Sequence, residues 1–101
     1  MEYGLSEKTL SILKSTFQKY PNINQAILYG SRAKGKFQTG SDIDLSLKTN
    51  NNFTRNDLLK IMNDFDDSDL PYFVDVSIYE KLSNPDLKEH IDRVGKVLYS
   101  I

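Results

Sequence analysis

Asp42, Ile43 and Asp44 follow Gly30-Ser31 after ten intervening residues, and a third aspartate, Asp75, stands in a later apolar-alternating segment. Two carboxylates at i and i+2 of an extended segment leave it on the same face, a few ångströms apart. Adjacent anions on a semi-buried face repel each other and call for a counter-charge. A hard divalent cation supplies it through oxygen ligands, and Mg²⁺ favours one or two carboxylates plus substrate phosphates over an all-protein cage. If the strand carrying Asp75 pairs beside the Asp42 strand with its apolar face on the same core, Asp75 emerges next to the pair. Asp42, Asp44 and Asp75 are then the candidate catalytic and metal-binding set. Three carboxylates can hold two Mg²⁺ ions, one on a triphosphate and one activating an attacking hydroxyl for in-line displacement.

Gly30-Ser31 sits where a short apolar run turns into a helical segment. Glycine lets the backbone approach a phosphate closely, while the serine hydroxyl and free backbone N–H groups donate to its oxygens. Arg32, Lys34 and Lys36 follow at once. Gly30, Ser31, Arg32 and Lys34 are the candidate nucleotide-binding residues, with one or two of the three cations expected to touch phosphate. Holding the phosphates, supplying metal and aligning a nucleophile is the logic of phosphoryl transfer.

These residues need short elements to position them. Leu10, Leu13, Phe17 and Tyr20 recur at helical spacing, so residues 6 to 19 read as a helix with Ser6 as N-cap and Leu5 as staple. Gln25 to Tyr29 reads as a buried strand and 31 to 35 as a helical turn. A loop with Thr39-Gly40 as its turn signal leads to a strand over Asp42 to Leu47. Ile43, Leu45 and Leu47 take one face of it, and Asp42, Asp44 and Ser46 the other. Thr54 and Asp57 form a capping box for a second long helix, with Phe53 and Leu58 at staple positions. Its inner face is Leu58, Ile61, Met62 and Phe65, and it is expected to stop before Asp66. Tyr72 to Tyr79 is a third strand, with Phe73, Asp75 and Ser77 on the face away from Val74, Val76 and Ile78. Asn84-Pro85 starts a last helix that Gly95 closes, and Val97 to Ile101 is extended. The expectation is a single α/β (α+β) domain over residues 1–101, a small mixed sheet flanked by helices.

Gly30-Ser31-Arg32-Ala33-Lys34-Gly35 and Ser41-Asp42-Ile43-Asp44-Leu45 match the signature of the DNA polymerase β-like nucleotidyltransferase superfamily. With the later Pro71-Tyr72-Phe73-Val74-Asp75-Val76 segment, the chain resembles its minimal nucleotidyltransferase (MNT) branch over nearly its whole length. The resemblance implies a polymerase β palm-like core in which Asp42 and Asp44 bind catalytic magnesium and Asp75 is the third carboxylate. It also implies that Gly30 and Ser31 contact the nucleotide phosphates. Members of this branch pair with a HEPN-domain protein encoded nearby as toxin–antitoxin modules. The implied function is therefore that of an antitoxin enzyme, a protein adenylyltransferase that moves AMP from ATP onto a tyrosine of a HEPN ribonuclease toxin. The alternative is a catalytically idle antitoxin that neutralises its HEPN partner by occlusion.

Composition narrows the field. The chain has 101 residues, 39% hydrophobic and 27% charged, and a formal net charge of -1, so no broad basic field favours direct binding to nucleic acid. Neither a membrane span nor a secretory leader is read from the sequence, and the absence of cysteine fits a reducing compartment, so the expected location is cytoplasmic. Repair polymerases and antibiotic-modifying transferases carry helical or DNA-gripping domains that one domain this small cannot hold. Asp64, Asp66, Asp67 and Asp69 lack the glycine and terminal glutamate of a calcium loop and read as solvated. His90, Ser46, Ser77 and the tyrosines Tyr20, Tyr29, Tyr72, Tyr79 and Tyr99 read as structural or surface residues.

Overall fold

The computed structural model describes residues 2–38 and 40–101. Met1 and Thr39, the latter half of the expected Thr39-Gly40 turn signal, lie outside the described residues. The elements run α1 (Glu7–Gln18), β1 (Ile23–Tyr29), α2 (Ser31–Lys34), β2 (Ile43–Thr49), α3 (Arg55–Asp66), β3 (Val74–Ile78), a 3-10 turn (Tyr79–Lys81), α4 (Pro85–Val94) and β4 (Lys96–Ser100). The helix ends follow local chemistry. Ser6 caps α1 by accepting from the Thr9 amide, and Thr54 and Asp57 close the expected capping box on α3. Asn84 caps α4 ahead of Pro85. Gly95 ends α4 for a steric reason, because its φ of -62° is ordinary. A Cβ there would meet the Ile91 carbonyl oxygen at 2.3 Å and Ile27 Cγ2 at 2.6 Å.

The four strands form one mixed sheet in the order β3-β2-β1-β4. β1 pairs antiparallel with both β2 and β4, while β2 and β3 run parallel with α3 as the crossover. One sheet face carries the main core: Ala26, Leu28, Leu45, Leu47, Val76 and Leu98 pack with Leu13 and Phe17 of α1 and Ile61 and Phe65 of α3. Phe17 is its aromatic centre, edge-on to Phe65 and tilted against Tyr99. Tyr20 joins the two helices by donating to Asp64 Oδ2 at 2.5 Å, and burial with that carboxylate pushes its phenol up to about 12. The opposite face is only partly covered. There Ile91 of α4 is buried and Gly95 sits against Ile27 of β1, and the rest of that face holds the polar residues of β2 and β3.

Several expectations shift at the edges, among them the third strand, which covers Val74–Ile78 rather than Tyr72 to Tyr79. β1 starts at Ile23 rather than Gln25, and β2 runs on to Thr49. The inner face of α3 is narrower than its periodicity suggests: Ile61 and Phe65 are buried, but Met62 is 39% exposed. α3 includes Asp66, one residue beyond its expected stop.

Candidate active site

Asp44 is the hub of the less-covered sheet face. It pairs in register with Tyr29 of β1 on one side and with Asp75 of β3 on the other. Residues opposite each other on neighbouring strands project to the same face, so Tyr29, Asp44 and Asp75 make a row across three strands. Asp42 stands just before β2 and is exposed, as is Asp75, while Asp44 is half-buried. The Ile43 amide donates to the Phe73 carbonyl at 2.9 Å, which extends the β2–β3 pairing to the edge of the row.

The electrostatics follow from this placement. Burial first, then the charges of Asp75 and Asp42, push the Asp44 carboxyl above the usual aspartate range. Tyr29 is raised too, chiefly by burial. The nearby Ser77 hydroxyl works against that rise, and the charges of Asp44 and Asp75 add to it. The floor beneath is polar and satisfied: Ser77 Oγ donates to the fully buried Ser46 at 3.2 Å.

Gly30 connects the turn to this row. Its φ of 77° and ψ of -153° suit glycine alone, and a Cβ built on it would lie 2.5 Å from Asp44 Oδ2. The Asp44 carboxylate therefore rests against the Gly30 backbone, in space that any other side chain would fill. Ser31 opens α2, whose first amides have no intrahelical carbonyl to reach. Gly35 closes the short helix in the left-handed conformation, with its amide bonded back to Arg32 and that of Lys36 to Ser31.

Arg32 is a correction to the expectation that it grips phosphate. It is 2% exposed, and its donors are committed to backbone. Nε and Nη2 donate to the Ser41 carbonyl at 3.0 and 2.7 Å, and Nη1 donates to the Tyr3 carbonyl at 2.9 Å. Its guanidinium also lies over the rings of Tyr72 and Phe37, 4.6 and 5.0 Å from their centroids. Arg32 thus ties the residue before Asp42 to the N-terminal segment and the start of the β3 region. Lys34 and Lys36, by contrast, are exposed.

Two residues that sequence reading set aside as structural border the site. Tyr29 is in the carboxylate row, and His90 of α4 stands edge-on to it with ring centroids 6.2 Å apart. Alternation along β1 carried the Tyr29 signal, but its neighbours depend on the strand register. The donor chemistry fits a divalent cation shared with phosphate. Asp44 is hard oxygen in a negative field, and Asp42 and Asp75 are near enough to perturb it. Among the described residues no three His, Cys, Asp or Glu side chains close into a metal cage by themselves.

The polymerase β nucleotidyltransferase family model matches residues 12–101. No curated protein sequence matches the chain. Solved structures with the same fold include a toxin–antitoxin complex with AMP-PNP, at TM-score 0.74 and 18% identity over 91% of this chain and 73% of that one. A double aspartate-to-glutamate mutant of the toxin–antitoxin pair MntA-HpeT gives 0.73 and 20%, over 96% and 75%. A tri-AMPylated Shewanella oneidensis HEPN toxin in complex with MNT antitoxin gives 0.62 and 18%, over 93% and 68%. The chain belongs to the polymerase β nucleotidyltransferase family, and its mixed four-stranded sheet with flanking helices is that family's fold.

Proposed function

We propose that this nucleotidyltransferase-family chain acts as a single domain and is the antitoxin of a HEPN toxin, moving AMP from ATP onto a tyrosine hydroxyl of that partner. The observation that carries the reading is Asp44: it rests on Gly30, faces Asp75 in register, and is held above the usual aspartate range in part by Asp75 and Asp42. A carboxylate kept in a repulsive field is suited to a cationic ligand, which removes the repulsion when it binds. The neighbours add direction, since one complex contains AMP-PNP and another an AMPylated HEPN toxin. In a third, the mutated aspartates sit two positions apart, the spacing of Asp42 and Asp44.

In this reading Asp42, Asp44 and Asp75 hold Mg²⁺, which when bound neutralises the triphosphate and lowers the pKa of the attacking hydroxyl. Gly30 and Ser31 orient the phosphates through backbone N–H groups and the serine hydroxyl. Arg32 keeps Ser41, and with it Asp42, in place. The tyrosine oxygen of the partner attacks the α-phosphorus, the bond from that phosphorus to the β-phosphate bridging oxygen breaks, and pyrophosphate departs. Asp75, exposed at the rim, accepts the phenolic proton.

The test is intact-mass analysis of the HEPN protein encoded beside this chain, after incubation with ATP, Mg²⁺ and either wild type or Asp44→Asn. Wild type adds the mass of AMP and Asp44→Asn does not. Neutralisation of toxicity by both proteins with no added mass would overturn transfer in favour of occlusion.

A further inference from the structure

The in-and-out alternation of β3 begins one residue before the strand itself. Phe73 is exposed, Val74 buried, Asp75 exposed and Val76 buried, so Phe73 leaves the chain on the face that carries Asp75. Its side chain is 63% exposed, yet the backbone beneath it is held from both sides. The Phe73 carbonyl accepts from the Ile43 amide at 2.9 Å, which carries the β2–β3 register one step further and sets Phe73 beside Asp42. On the other side, the Arg32 guanidinium covers the Tyr72 ring at 4.6 Å from its centroid, and Arg32 is itself bonded to the Ser41 carbonyl. An apolar ring thus stands in solvent on fixed backbone, flanked by Asp42 and Asp75.

The sheet order says which reactant comes to this corner. β3 is an outer strand, and β1, which leads into Gly30-Ser31, lies on the far side of β2. Phosphates gripped by Gly30 and Ser31 therefore reach the carboxylates from the β1 side. The open edge at β3 is left to the hydroxyl acceptor. For Asp75 to take the acceptor proton, the acceptor oxygen must come within about 2.6–3.2 Å of its carboxylate. Phe73 and Asp75 are two residues apart on one face, about 6.6 Å along the strand. A tyrosine with its oxygen at Asp75 can then lay its ring about 4.5–7 Å from that of Phe73, the range in which aromatic pairs attract beyond the area they bury. A serine or threonine oxygen in the same place brings no ring and leaves Phe73 in water.

Resting on the AMP-transfer reading above, we infer that Phe73 is the specificity residue for the acceptor: its ring packs on that of the partner's tyrosine and favours an aromatic hydroxyl over an aliphatic one. The contact is the same before and during transfer, because the new bond forms at the phenolic oxygen and not at the ring. It therefore contributes to acceptor binding and leaves the rate at saturation alone.

The experiment measures AMP transfer to the HEPN protein encoded beside this chain, at saturating ATP and Mg²⁺ and varied partner concentration, by wild type, Phe73→Ala and Phe73→Tyr. Phe73→Ala raises the KM for the partner about tenfold, with kcat and the calorimetric affinity for ATP unchanged, and Phe73→Tyr restores it. A double-mutant cycle identifies the occupant. The acceptor tyrosine is located by mass spectrometry of the labelled partner and replaced by alanine. Phe73→Ala then weakens binding of the intact partner and not of the replaced one. An unchanged KM, equal losses for both partners, or a Phe73→Tyr protein no better than Phe73→Ala overturns the inference and leaves AMP transfer standing. A loss of ATP affinity in Phe73→Ala places the ring against the nucleotide instead, and overturns it as well. If wild type transfers no AMP at any partner concentration, the transfer reading falls, and this inference with it.

Discussion

Replacing Gly30 by alanine tests the link between backbone conformation and carboxylate position most directly. Two separable penalties arise. The backbone at φ 77° and ψ -153° is essentially closed to residues with a Cβ, which adds about 1–3 kcal/mol of strain. The new methyl would also lie 2.5 Å from Asp44 Oδ2, so the carboxylate must retreat by about 1 Å to restore an ordinary contact. With a strain near 2 kcal/mol and about 4–8 °C per kcal/mol for a domain of this size, Tm falls by about 8–16 °C. Nucleotidyl transfer falls further than stability, by about 100-fold, because a reacting group is displaced by about 1 Å. The assay is a double-mutant cycle of thermal melts with Gly30→Ala, Asp44→Ala and the pair. Removing the Asp44 carboxylate relieves the contact and leaves the φ strain, so Gly30→Ala is milder in the Asp44→Ala background, with a coupling of about 0.5 kcal/mol or more. Strict additivity, or a Tm shift below about 2 °C, would refute the reasoning.

Asp44→Asn should stabilise the protein at pH 7. The folded-state carboxyl of Asp44 is raised, so the unfolded state gives up its proton first, and stability is lost as pH rises through the folded pKa. The gain from Asp44→Asn should shrink below about pH 4, where aspartate is protonated in both states; urea melts at the two pH values check it, and Mg²⁺ raises the Tm of wild type more than that of the variant. Arg32→Met strips the donors from the Ser41 and Tyr3 carbonyls and costs about 2–4 kcal/mol. Hydrogen exchange at Ser41 and Asp42 then speeds up more than exchange in α1, and equal protection in both segments would show that Arg32 does not hold this loop.

Much of the site is legible from alternation alone. Period-two spacing puts Asp44 opposite the Ile43, Leu45 and Leu47 face, and the same pattern in Val74, Val76 and Ile78 sends Asp75 outward. The parallel pairing that joins them follows once α3 is recognised as a crossover. Arg32 was not legible because its surroundings are non-local. In sequence it heads a run with Lys34 and Lys36, but the four residues of α2 turn it inward, to rings at Phe37 and Tyr72 and a carbonyl at Tyr3. Met62 shows the limit of helical periodicity, which marks an apolar stripe without saying how much of it the sheet covers.

The sheet order also dictates when the chain can become competent during folding. β1 and β2 pair through a local connection, and β3 joins after one crossover, so the three aspartates can be assembled early from neighbouring segments. β4 must return to pair Gln25 with Ser100, a closure across about three-quarters of the sequence and the slowest kind of contact to make. Until that last strand docks, β1 presents an unpaired edge beside the turn that Gly30 begins. A growing polypeptide would thus gather its three aspartates first and close the outer edge of β1 only once residues 96–100 had emerged.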